Sequence, residues 1–287
     1  MKKFLLLIMI FTICLITSGC KQDEMDDISI VTTNYPNEFI TKKLYGKHAS
    51  IISIYPDGVD INNYKINKKR KSDYSAKDLF IYNGKIKKES DLAFDLLDLN
   101  QDLKIIDTAY VLETDYSPEE LWLNPSSLLM MAQNVRLGLE EYINSVYLKK
   151  DINKAYEKLK IDLSELDADF RLAVENTNNK VIVVSTPTLK FLEKFGLEVI
   201  CIDNNATEKD IDKVSELVDE EKISNIYSFK GDKLNSTTKN LLKDYPNIKV
   251  QKLNKLDNLT DNDRTNNRDY ISIMNSNLEL LKKELYQ

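Results

Sequence analysis

Few side chains in this 287-residue chain could do covalent chemistry. There is one histidine, His48, and there are three cysteines, Cys14, Cys20 and Cys201. A Ser-His-Asp set would have to be built on His48, and no glycine-rich phosphate loop is present, so the sequence does not read as an enzyme. His48 follows Lys43-Leu44-Tyr45-Gly46-Lys47. Gly46 reads there as a helix C-cap, which predicts a surface loop for the imidazole rather than a place in a cleft. Cys201 sits in Glu198-Val199-Ile200-Cys201-Ile202-Asp203, a buried-strand pattern, and reads as a small core residue. With no second thiol left in the mature chain, neither an internal disulfide nor a CxxC metal site is available.

Cys20 is the thiol with an evident reaction. Lys2 and Lys3 precede an apolar run from Phe4 to Ile16, which closes on Thr17-Ser18-Gly19-Cys20. The run is too short for a comfortable transmembrane helix and ends in small residues, as a secretory signal does. The cysteine at its end resembles the bacterial lipobox, although Thr17 stands where an aliphatic residue is usual. Residues 1–19 are then a removed signal, Cys20 is the acylated (diacylglycerol, palmitate) N-terminus, and residues 20–27 form a polar leader. The alternative is an ordinary signal peptide with a chance cysteine. The lipobox reading places the chain on the extracytoplasmic face of a bacterial cell membrane, with the lipid bilayer as a partner through Cys20. Loss of Lys2 and Lys3 takes the formal charge from −6 to −8. No basic stripe is left to neutralise phosphates, so nucleic acid is not a partner.

Short β-branched runs alternate with amphipathic segments along the rest of the chain. The pattern predicts strands at Ile28–Thr33, Ser50–Tyr55, Asp78–Tyr82 and Lys104–Asp107, then at Lys180–Ser185, Val199–Asp203, Ile223–Ser228 and Ile248–Leu253. It predicts helices at Asn37–Tyr45, Asp91–Leu97, Ser127–Leu148, Thr188–Phe195, Lys209–Glu221 and Thr237–Lys243. Such alternation is an α/β fold with mainly parallel sheets, and two such sets make two lobes, residues 28–150 and 178–287. Between them, residues 151–177 carry apolar positions at Ile152, Tyr156, Leu159, Leu163, Leu166 and Phe170 with no proline or glycine. One long rigid helix of roughly 37 Å follows from a rise of about 1.5 Å per residue. It either crosses from lobe to lobe as a strut, restricting hinge closure, or folds back on Ser127–Leu148 as a hairpin.

Several stretches together resemble the solute-binding lipoproteins of zinc and manganese ABC importers, in the helical backbone metal receptor superfamily. These are Tyr55-Pro56-Asp57-Gly58-Val59-Asp60-Ile61-Asn62-Asn63-Tyr64, Ala76 to Gly84, Glu120-Leu121-Trp122-Leu123-Asn124-Pro125, Phe195-Gly196-Leu197, Leu256-Asp257-Asn258-Leu259 and Tyr270 to Leu278. The resemblance implies the cluster A-I solute-binding fold and a divalent metal held between the lobes as transported ligand. It also implies a monomer that delivers its solute to an ABC permease in the membrane. The positions that match the family's four ligands are Asn62, Glu120, Ser185 and Asp257. Only the acidic one near the C-terminus is kept, and the family's histidines are absent. Such oxygen donors suit manganese or another hard cation better than zinc.

Each of these residues also has a plainer reading. Asn62 would cap a turn, Glu120 would favour the start of a short helix, Ser185 would cap the helix after Pro187, and Asp257 would be solvated. Tyr64 and Trp122 would flank the cleft, either stacking on a ligand or filling the gap between lobes. The lysine-rich run from Lys65 to Lys71 reads as a solvated loop or a basic contact. The competing function is a lipoprotein that has kept the fold, lost the metal and become an adhesion, scaffold or regulatory module.

Overall fold

The computed structural model describes residues 23–177 and 179–286. The signal region and Cys20 therefore lie outside the described residues. Among those described, no helix is long and apolar enough to cross a membrane.

Among the described residues, eight strands form two sheets of four. The first holds β1 (Ile28–Thr32), β2 (Ala49–Ser53), β3 (Leu79–Tyr82) and β4 (Lys104–Asp107), ordered β2-β1-β3-β4. The second holds β5 (Val181–Val184), β6 (Glu198–Cys201), β7 (Asn225–Phe229) and β8 (Lys249–Leu253), ordered β6-β5-β7-β8. All neighbours pair in parallel. Buried parallel strands must be apolar on both faces, and the period-two alternation sorts their side chains between two cores. Ile30, Leu79 and Ile81 of the first sheet join Ile182, Val184 and Tyr227 of the second in one large core. On the outer faces, Val31 and Phe80 belong to a smaller cluster of the first lobe, and Val183 and Ile226 to one of the second. The shared core makes the two lobes one packed body.

Helices cover both faces. They are α1 (Tyr35–Tyr45), α2 (Lys68–Ser75), α3 (Lys87–Leu99), α4 (Glu120–Leu123), α5 (Pro125–Tyr142), α6 (Val146–Glu175), α7 (Glu208–Asp219), α8 (Ser236–Asp244), α9 (Asp261–Thr265) and α10 (Tyr270–Leu285). The long helix α6 has 30 residues, which is about 45 Å at 1.5 Å per residue. It begins earlier than its apolar spacing suggests, because the chain breaks at Ile143 and Ser145 caps a new start by accepting from the Leu148 amide. The strut and hairpin alternatives are both realised. Helix α5 lies antiparallel to α6, with Arg136 bonded to Asn153 and Ser126 to Asp167. Beyond that, Phe170 stacks on Phe195 of the second lobe at 5.1 Å, and the Tyr286 hydroxyl donates to the Ala173 carbonyl. The segment Pro187–Phe195 is 3-10 rather than α-helical, and it stops at Gly196 with φ of +94°, a conformation that glycine adopts without strain.

Two expectations near the N-terminus change. The leader is not merely a tether, since Met25 enters the large core and Asp23 accepts from the amides of Asn144 and Ser145. His48 is not in a free surface loop either. It is mostly buried, with Nδ1 at 3.1 Å from Asp26 and Nε2 at 3.5 Å from Asp151. The Gly46 C-cap stands, but in right-handed geometry with φ of −62°. What excludes a side chain there is space, because a Cβ would lie 2.5 Å from the Lys42 carbonyl oxygen.

Candidate functional site

The segments that leave the C-terminal ends of the strands in one lobe meet their counterparts in the other. After β1, the Tyr35 amide donates to the Asp257 carbonyl. After β2, the Gly58 amide donates to Leu259, and Asn258 donates to the carbonyl of Pro56. After β4, Tyr116 donates to Glu193, and the Trp122 indole N–H donates to Lys255 at 2.9 Å. In doubly wound sheets this edge is where ligands bind, at the point where strand order reverses, here between β1 and β3 and between β5 and β7.

At the first of these points lies a fully buried polar cluster. Glu89 reaches in from α3 and accepts from the Thr33 hydroxyl at 2.5 Å and the Asn83 amide at 2.8 Å. Asn37 donates to Thr33, and Thr108 donates to Asn37. Burial pushes the Glu89 carboxyl up to about 7, against the lowering influence of the Thr33 and Asn83 hydrogen bonds. The cluster ties the ends of β1, β3 and β4 to one another and forms the floor of the first-lobe half of the seam.

The four residues that the resemblance proposes as ligands have separate local roles. Asn62 is exposed in a turn, where its amide donates to Asp60 Oδ1 at 2.9 Å, so the cap is Asp60 and not Asn62. Glu120 is buried, and its carboxylate accepts from the amides of Asp115, Tyr116 and Ser117. It thereby folds the loop before α4 back onto the helix, with Lys194 of the second lobe at 3.6 Å. Ser185 ends β5, its amide bonded to Tyr227 and its carbonyl accepting from Asn235; Thr186 stands at the N-cap position of the following helix, without a side-chain cap bond. Asp257 is half-buried in the seam rather than solvated. Burial pushes its carboxyl up, Lys255 and the Asn258 amide lower it, and Glu119 and Asp232 raise it. Among the described residues, no three His, Cys, Asp or Glu side chains are spaced to hold a metal ion.

Of the two aromatics, Trp122 closes the gap between the lobes. Its ring is 1 % exposed, and its carbonyl accepts from the Tyr270 hydroxyl at 2.6 Å. Tyr64 packs with the outer cluster of the first lobe, edge-on to Tyr55 at 5.7 Å and beneath the Arg70 guanidinium at 5.4 Å. The basic run is helical from Lys68 onward, capped by Asn67, so most of it is not a loop.

Of the charged groups at the seam, Glu119, Lys255 and Arg264 carry no sequence signal of their own. The Lys255 ammonium lies 3.4 Å from Glu119 Oε1, and its charge opposes the burial that raises Asp257, whereas Asp60 is held down chiefly by hydrogen bonds from the Asn63 side chain and the Asn62 amide. Of these carboxylates, Glu119 is the one ion-paired with Lys255 among the described residues. Nearby, Arg264 of α9 bridges Asp57 and Glu38, with Nε 3.0 Å from Asp57 Oδ2 and Nη2 2.7 Å from Glu38 Oε2. A planar guanidinium held between two carboxylates of the other lobe is a clasp across the seam.

Comparison with known proteins agrees with this architecture. The family model described as "Zinc-uptake complex component A periplasmic" matches residues 30–284. The zinc-binding lipoprotein AdcA of Streptococcus pneumoniae is 24% identical over 310 residues, covering 99% of this chain but 61% of its own length. The chain therefore spans about three-fifths of that curated relative. The Zn(II)-bound ZnuA-like domain of the same AdcA superposes with a TM-score of 0.72 at 23% identity, over 91% of this chain and 100% of that domain. The metal-dependent lipoprotein YcdH of Bacillus subtilis gives 0.74 at 19% identity, with 91% and 100% coverage. The chain belongs to the zinc-uptake complex component A family.

Proposed function

We propose that this member of the family is the extracytoplasmic solute-binding lipoprotein of an ABC metal-ion importer, anchored through Cys20. It takes a divalent cation at the seam between its lobes and delivers it, as a monomer, to a membrane permease. The observation that carries this reading is Asp257, a carboxylate half-buried at the seam on the edge where such sheets bind ligands, with the Lys255–Glu119 ion pair beside it. The carboxylate of Glu120 would have to leave its three amide partners to join a coordination shell and Asn62 is exposed in a turn, so Asp257, half-buried in the seam, is the family-matched position best able to serve. An all-oxygen shell favours manganese or another hard cation over zinc, even though the AdcA relative is named for zinc.

Lys255 favours a second reading, in which the fold persists without its metal. A tethered ammonium already supplies the positive charge that the carboxylates would otherwise seek, and a divalent ion has to displace it. Elemental analysis of chelator-free protein and a divalent-ion thermal-shift panel separate the two. Importer function predicts a rise in melting temperature with micromolar manganese that Asp257→Asn abolishes and Lys255→Met enlarges. No shift with any divalent ion in the parent chain, and a new shift in Lys255→Met, is the outcome expected of the second reading.

A further inference from the structure

A well-defined groove lies away from the seam. It measures about 660 Å³ and lies on the other side of the first lobe, between the end of α1, strand β2 and the long helix α6, lined by five lysines against two aspartates. Two of the lysines are engaged, Lys42 with Glu38 and Lys43 with Asp269. Lys47, Lys154 and Lys158 are exposed and have no ion-pair partner among the described residues. The floor is apolar, from Leu44, Ile51 and Leu159. On α6, residues 147, 151, 154 and 158 fall on one helical stripe, so Tyr147 lies one turn before the groove on the same face of the helix. Tyr147 is 68% exposed and its neighbour Val146 is 81% exposed. Apolar and aromatic groups exposed beside lysines suit a membrane interface, where a ring sits at headgroup level and ammonium groups meet phosphates.

The course of the chain brings this face to the bilayer. Asp23 is bonded to the amides of Asn144 and Ser145, immediately before α6, and Asp26 meets His48 at the groove. Cys20 is three residues before Asp23, and so within roughly 10 Å of it even when fully extended. We infer that Lys47, Lys154 and Lys158, with Tyr147 and Val146, form a docking surface for anionic phospholipid headgroups that seats the anchored protein on the membrane by this face. The inference rests on the lipid-anchor reading of Cys20. The partner follows from charge: three lysines here lack an ion-pair partner among the described residues and lie beside exposed apolar groups, and ammonium groups so placed meet lipid phosphates.

The test uses the unanchored chain from Lys21 onward, which carries every described residue, in co-flotation with vesicles. It should partition onto phosphatidylglycerol-rich vesicles at low salt and not onto phosphatidylcholine alone. The triple variant K47Q/K154Q/K158Q should lose binding by roughly a hundredfold, at about fivefold per lysine near an anionic surface. Neutralising three exposed lysines of the other lobe, K209Q/K233Q/K239Q, should change it by no more than about twofold. No phosphatidylglycerol-dependent binding, or equal loss in both triple variants, overturns the docking surface. Labelled palmitate incorporation into the full chain, lost in C20S, tests the anchor separately. Absence of label would overturn the inference by removing its anchor, a result distinct from acylated protein whose groove ignores anionic lipid.

Discussion

Glu89 offers the sharpest test of how this fold holds its seam. The carboxyl is buried at the switch point of the first sheet, and its folded value of about 7 compares with an ordinary value near 4.5. Between those two pH values the native protein keeps the proton and the unfolded chain loses it. Stability from this group is therefore fully present at and below pH 4.5, declines as pH rises toward 7, and is gone above. The interval is worth about 3 kcal/mol, at roughly 1.4 kcal/mol per pH unit. Glu89→Gln keeps the shape and an oxygen to accept from Thr33 and Asn83 but has no proton to lose. Urea midpoints at pH 4.5, 5.5, 6.5 and 7.5 for both proteins isolate the group, because every other carboxylate is common to the pair. The variant should gain on the parent by about 3 kcal/mol across that range, most steeply between pH 5 and 7. Parallel pH profiles would refute the reasoning, and would mean that water or a rearranged Asn83 amide stabilises the charged form.

Glu120→Ala should cost about 3 kcal/mol or more in denaturant melts, because it strands the three amides that the carboxylate now holds, and the cost should be the same with or without divalent ions. Trp122→Phe keeps the packing and removes one hydrogen bond to Lys255. About 1 kcal/mol of stability should go, with faster hydrogen exchange at 255–259. Arg264→Ala leaves Glu38 and Asp57 without their shared partner. The guanidinium is one-third exposed, so after solvent screening the expected loss is about 1–2 kcal/mol, read as increased proteolysis near Gly58. Phe170→Ala opens a hole where the long helix meets the second lobe and should cost about 3–5 kcal/mol.

The strands were legible because buried parallel strands are short, β-branched and bounded by polar turns. Lys104–Asp107 is found where the pattern puts it, and the other seven differ by a residue or two at their ends. The long helix announced itself through its four-and-three spacing. Helix α2 did not, since Lys68–Ser75 is almost wholly polar and owes its existence to the Asn67 cap and to Tyr74 reaching the outer core. The C-terminal helix Tyr270–Leu285 was legible only as a stretch resembling the family, although Asp269 and Ser272 form its capping box. The seam was harder still. Glu119 and Glu120 are adjacent and chemically identical, yet one faces Lys255 and Asp257 and the other turns back on its own loop. Nothing in single-residue chemistry separates them, because the choice is made by the direction in which a short helix leaves its turn.

That pair also explains how such a fold can change its ligands without coming apart. The lobes are joined by groups that need not touch a solute: the Trp122 indole on Lys255, the Tyr270 hydroxyl on Trp122, the Arg264 clasp, and the shared core around α6. The Glu120 carboxylate braces the loop before α4. A residue with such a brace to maintain is retained for stability whether or not metal is bound, so its presence carries no information about transport. Asp257 is different. Its carboxyl is half-buried among other carboxylates, where burial opposes its charge and Lys255 offsets part of the cost. A group kept in that position against its own solvation is the one to interrogate for a cation. If Asp257→Asn stabilises the protein in chelator and removes every divalent-ion shift, the site works at the expense of the fold. If it stabilises and no ion shift existed to remove, Lys255 stands where a metal ion would otherwise offset the Asp257 charge.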